Sequence, residues 1–139
     1  MDKTTTANRW SFSVQSKRKE EFIDVTDAVN EILKKSRVGD GICMVFTPHT
    51  TAAITINENA DPAVPEDILR GMRHLQFEKV SFAHSEGNSP AHLKSSLLGC
   101  SELVNVNEGS LMLGTWQGIF FCEFDGPRIR NIIVTIIPG

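Results

Sequence analysis

Apolar and polar side chains alternate at the start of this chain. Trp10, Phe12 and Val14 are interleaved with Ser11, Ser13 and Gln15, the period of a strand with one buried face. A charged turn, SKRKEE, separates it from a short second strand containing Phe22, Ile23 and Val25. The period then lengthens. Ala28, Val29, Ile32 and Leu33 form a helical stripe after Thr26 as cap, with Lys34, Lys35 and Arg37 at the negative end of the dipole and Gly39 as the stop. Residues 41–47 (GICMVFT) are a continuous apolar run and predict a central strand, broken at 48–51 and resumed over 52–57. Asp61-Pro62 opens a second helix, to about residue 75, and 77–82 reads as a partly extended connection. Residues 102–107 and 110–115 predict a hairpin turning at Asn107-Glu108-Gly109. Residues 119–124 form another buried strand, and after the Asp125-Gly126-Pro127 turn the chain closes with a strand over 128–138. Seven to eight strands and about three helices, mostly hairpin-linked, predict one α+β domain over 1–139 on a largely antiparallel sheet.

The pattern is richest over 84–100, HSEGNSPAHLKSSLLGC. Ser89 is a good N-cap and Pro90 fits the first helical position, so a short helix starts here. His92 then lies in its first turn, where the helix dipole disfavours a charged imidazole. Leu93, Leu97 and Leu98 predict the buried face, and His92, Ser95 and Ser96 the exposed one. Gly87 and Asn88 let the preceding loop double back towards His84.

Composition narrows the class without changing this outline. Of 139 residues, 40% are hydrophobic and 22% charged, with a net charge of −3. No basic face is available for general nucleic-acid binding, and no apolar run is long enough to span a membrane. Cys43, Cys100 and Cys122 lie in apolar surroundings with no CxxC pair, which points to reduced thiols and a cytoplasmic protein.

The candidate chemistry centres on imidazoles. His49 falls at the break between two strands, and His84 and His92 flank the glycine-bearing loop; His74 reads as a solvated helix residue. Three histidines at loop-adjacent positions could supply the three protein ligands of a catalytic zinc site, or act in acid–base chemistry, although no compact motif such as HExxH is present. Glu123 interrupts an apolar strand, so facing inward it needs a cation or donors. Glu58 could face the same site or water. Trp116, between Gly114 and Gly118, could approach a ligand closely or simply pack. Arg128 and Arg130 share one face of the last strand and could hold a phosphate.

The segments HTTAAITINENADP, AHLKSSLLGCS and GTWQGIFFCEFDGPR, in this order over residues 49–128, resemble the YjbQ family, whose members are often labelled secondary thiamine-phosphate synthase-like proteins. The resemblance implies a compact α+β subunit assembling as a homotrimer, with pockets near subunit boundaries. It implies a shared site containing His49, His84 and His92. The associated activity joins a pyrimidine diphosphate to a thiazole phosphate, so the expected partner is a small phosphorylated molecule. On that reading His49, His92 and Glu123 are the catalytic candidates, and Asn88, Ser89, Lys94, Trp116 and Arg128 bind substrate. His49, His84 and His92 would hold a divalent metal, zinc by ligand type, with Mg²⁺ an option where a diphosphate binds. The alternative is a metal- or small-ligand-binding protein without efficient turnover. A physical expectation supports assembly: strand 41–47 or the last strand would need covering if either lay outermost.

Overall fold

The computed structural model describes residues 8–139. Eight strands and three α-helices run in the order β1 (Asn8–Gln15), β2 (Glu21–Asp24), α1 (Thr26–Ser36), β3 (Gly41–Phe46), β4 (Ala52–Glu58), α2 (Ala63–Arg73), α3 (Ser89–Leu98), β5 (Ser101–Asn107), β6 (Ser110–Leu111), β7 (Gln117–Glu123) and β8 (Ile129–Pro138). All pairings are antiparallel. They form a five-stranded sheet in the order β1-β8-β3-β5-β6 and a three-stranded sheet in the order β2-β7-β4. The architecture is α+β, as the sequence pattern implies.

The small sheet lies between two apolar layers, and this explains β7. Residues 118–123 are all buried, because β7 is central in its sheet and both faces are covered. One face contributes Ile54, Ile119 and Phe121 to the main core, with Val29, Ile32 and Leu33 of α1, Cys43 and Val45 of β3, and Ile132, Val134 and Ile136 of β8. The other contributes Ala53, Phe120 and Cys122 to a second cluster with Leu69 of α2 and Ala91 of α3. A strand covered on both sides reads as a continuous apolar run, whereas β1, at an edge of the large sheet, keeps its alternation. The β5–β6 turn consists of Glu108 (φ 50°) and Gly109 (φ 75°), the paired left-handed conformations of a tight hairpin.

β3 is an interior strand of the large sheet, as its apolar run predicts, and β8 is interior too; β1 and β6 are the edges. Several other sequence expectations are corrected. Residues 77–79 form a 3₁₀ turn and not an extended segment, and β6 ends at Leu111. α3 begins at Ser89 with Asn88 at the cap position, and Asn88 makes no side-chain cap bond. Its buried face is also turned from the expected one: Ala91, Lys94 and Ser95 are buried, whereas Leu97 is 62% exposed. Small residues let α3 lie close on β4, where Ser95 Oγ donates to the Ala52 carbonyl at 2.5 Å. The outward residues of β3, β5 and β8 carry no charge, and Ile42, Leu103 and Ile137 among them are exposed. Among the described residues no helix is long and apolar enough to cross a membrane.

Candidate functional site

Two connections carry the chain between the sheets at the same end of the molecule: residues 47–51 join β3 to β4, and 124–128 join β7 to β8. The start of α3 and the His84 loop reach this end too. Together they line an open cleft of about 410 Å³ containing His49, His84, His92, Asn88, Arg128 and Arg130. The three histidines singled out in the sequence therefore share one cleft. An adjoining groove of about 600 Å³ is bordered by His49, His92, Phe46, Ser96 and Cys100.

His49 is held by the sheet. The β3–β8 pairing ends at Phe46 opposite Ile133, and two side chains continue it. Thr47 Oγ1 donates to the Asn131 carbonyl at 3.4 Å, and the Asn131 N–H donates to His49 Nε2 at 2.8 Å. Burial lowers the pKa of His49, Arg130 and Arg128 lower it further, and Glu123 only partly opposes them. His49 is therefore neutral at pH 7. His92 sits in the first turn of α3, its N–H bonded to the Asn88 carbonyl at 3.3 Å. His84, on the loop, meets His92 edge-on with ring centroids 5.4 Å apart and lies 4.0 Å from Glu86.

Behind the histidines is a buried ionic core. Glu123 faces inward and accepts from Arg130 Nε at 2.8 Å, from Arg130 Nη2, from Ser16 Oγ at 2.7 Å and from the Asp125 N–H at 3.0 Å. Burial raises the Glu123 pKa, but these donors outweigh it and hold the carboxyl below its ordinary value. Arg130 also donates to the carbonyl and hydroxyl of Thr51. It lines the cleft but is committed to Glu123 and the 47–51 connection. Arg128 is the more open cation: its side chain is half exposed and braced by the Asp125 carbonyl at 2.9 Å and carboxylate at 3.2 Å. Asp125 also accepts from Asn88 Nδ2 at 2.9 Å, which fixes the Asn88 amide. The buried Asn88 Oδ1 is left without a hydrogen-bond partner among the described residues.

Other expected site residues lie elsewhere. Lys94 is buried on the opposite side of α3, bonded to Glu20 at 2.5 Å and Glu78 at 3.2 Å beside a separate cavity of about 140 Å³. Ser89 lines a fourth pocket, with Val80 and Phe82, which adjoins the cleft through His84. Trp116 is exposed before the start of β7, about 23 Å along the strand from Glu123 at the usual rise per residue. Glu58 pairs with Gln117 at that far end. Sequence reasoning missed Asp125, Thr51, Ser16 and the Asn131 N–H. One signal could have found part of this network: Glu123 and Arg130 are charges in two apolar strands joined by a short turn.

The three histidines do not form a ligand set as placed. The Asn131 N–H occupies Nε2 of His49, and among the described residues no three His, Cys, Asp or Glu side chains are disposed to hold one ion.

Residues 10–139 match the family model described as UPF0047 protein YjbQ-like. The chain is 49% identical over 128 residues to UPF0047 protein MJ1081 of Methanocaldococcus jannaschii, covering 92% of this chain and 93% of that one. It is 44% identical over 128 residues to UPF0047 protein YugU of Bacillus subtilis, covering 91% and 97%. A crystal structure of an uncharacterized YjbQ/UPF0047 family protein from Clostridium acetobutylicum is similar at TM-score 0.90 and 48% identity, covering 92% of this chain and 99% of that one. A YbjQ-like protein of unknown function from Sulfolobus solfataricus gives 0.91 and 38%, covering 96% and 99%.

Proposed function

The chain belongs to the YjbQ-like UPF0047 family, and we propose that it binds a small phosphorylated molecule in the His49–His84–His92 cleft and acts as a weak transferase of the thiamine-phosphate type. The observation that carries this reading is the half-exposed Arg128 guanidinium, braced by Asp125, opening on the same cleft as three imidazoles. Braced guanidinium groups suit phosphate oxygens, and the pKa of His49, lowered first by burial, is lowered further by Arg130 and Arg128. Departure of a diphosphate from such a substrate gathers charge on oxygen, and donors already fixed in place stabilise that charge.

Two further parts of the reading concern setting. The uncharged outward face of β3, β5 and β8, with Ile42, Leu103 and Ile137 exposed, supports assembly through that face into a homotrimer. Phe46 belongs to this face and also borders the groove beside His49, so a neighbouring subunit there would lie next to the site. Three free cysteines, one of them exposed, suit the cytoplasm.

The test is calorimetry with inorganic pyrophosphate and simple phosphomonoesters, alongside an assay of thiamine phosphate formation from the two phosphorylated precursors. Binding that falls at least tenfold in Arg128→Ala supports the reading. Unchanged binding in that variant, or none in the native chain, refutes it.

A further inference from the structure

The fixed hydrogen bond between the Asn131 N–H and His49 Nε2 has a chemical consequence. A backbone N–H can only donate, so Nε2 is the unprotonated nitrogen of the ring. A neutral imidazole has one such nitrogen, so the proton is on Nδ1. The only nitrogen lone pair that could ligate a metal is therefore already engaged. The polarity is opposite to that of a metal-bound histidine, which donates its second N–H to a carboxylate, a carbonyl or water.

The connection that carries the ring is tethered to β8 at two points. Asn131 holds His49, and the next residue back along β8, Arg130, holds Thr51 through both its carbonyl and its hydroxyl. Arg130 in turn is fixed by Glu123. To present Nε2 to the cleft, the ring would have to give up the Asn131 N–H. Nδ1 bonds to no protein group among the described residues, and His49 lines the same cleft as Arg128.

From this geometry we infer that His49 is a neutral donor, offering Nδ1–H to an anionic oxygen of the ligand, and not a metal ligand; the Asn131 backbone and Arg130 are its positioning groups. The inference rests on the anion-binding reading above and assigns His49 a role within it. It also replaces the three-histidine metal set with one fixed hydrogen-bond donor, beside Arg128, for a phosphate or diphosphate oxygen.

Long-range proton–nitrogen correlation spectra of the full ¹⁵N-labelled chain at pH 7.5 test it directly, with the His49 signals assigned by their loss in His49→Gln, or in His49→Asn should the first variant not fold. The expected spectrum shows the proton on Nδ1, and inorganic pyrophosphate shifts Nδ1 while leaving Nε2 in place. A proton on Nε2 overturns the inference. So does a Zn²⁺ affinity that falls tenfold or more on replacing His49. If pyrophosphate binds in an Arg128-dependent way but leaves Nδ1 unmoved, the role given to His49 fails while the anion-binding reading stands. If pyrophosphate does not bind at all, both fail.

Discussion

Arg130 of β8 forks onto Glu123 of β7, and so joins the two sheets through one buried ion pair, with Nε and Oε1 2.8 Å apart. Both side chains are almost wholly removed from solvent. Deleting one partner leaves the other charged and buried, so Glu123→Ala or Arg130→Ala should each cost about 3–5 kcal/mol. Replacing both together with apolar residues should cost less than the sum. Urea unfolding of the two single variants and the double variant checks this. Independent, additive losses would show that the pair is not coupled.

The pH dependence follows from two groups. The folded His49 has a pKa below the ordinary imidazole value of 6.5, so between those values the unfolded chain binds more protons. Stability therefore rises with pH through the window below 6.5 and is fully present above it. His49→Gln should flatten the difference in urea midpoint between pH 5.5 and pH 7.5. Glu123, with its pKa lowered from 4.5, contributes stability present above that value and lost as pH falls below it. An unchanged pH profile in His49→Gln would contradict the first assignment.

Leu97 gives a contrasting prediction. Its side chain is exposed on α3, so Leu97→Ala should change stability by less than about 1 kcal/mol. Phe121→Ala, at a fully buried position of β7, should cost roughly 3–5 kcal/mol. Thermal melts of the two proteins decide the ranking.

Gly126 is packed against the turn that supports the ionic core. A Cβ there would lie 2.7 Å from Ser16 Oγ and press on the Arg18 carbonyl. Gly126→Ala should destabilise by about 1–3 kcal/mol through overpacking. A variant that melts at the native temperature would show that the 16–18 turn yields freely.

His92→Ala removes a half-buried ring that packs edge-on against His84 and lies outside the apolar clusters of the described residues. Its stability cost should stay within about 1 kcal/mol. Pyrophosphate affinity should fall at least tenfold if the ring faces the bound anion. A protein that unfolds but retains affinity in its folded fraction would make His92 structural.

The larger elements were legible because their patterns reflect burial directly. The alternation of β1 and the unbroken run of β7 report one covered face and two covered faces respectively. His49, His84 and His92 could be grouped because each lies beside a break in the pattern, and the breaks fall at one end of the sheets. The face of α3 was not legible: two leucines four apart suggest a buried stripe, but the helix buries Lys94 instead. The partners that make this possible, Glu20 and Glu78, lie 74 and 16 residues away. For the same reason Glu123 could be seen to need a cation, while Arg130 was as easily read as a phosphate clamp. Local periodicity carries no information about such long-range pairing.

The imidazole that ends the β3–β8 ladder also makes the Asn131 amide a sentinel for the cleft. Any motion that swings His49 away uncovers that one proton to solvent, while the neighbouring amides within the ladder stay protected. Its hydrogen-exchange rate thus measures how often the site comes apart from the sheet that builds it.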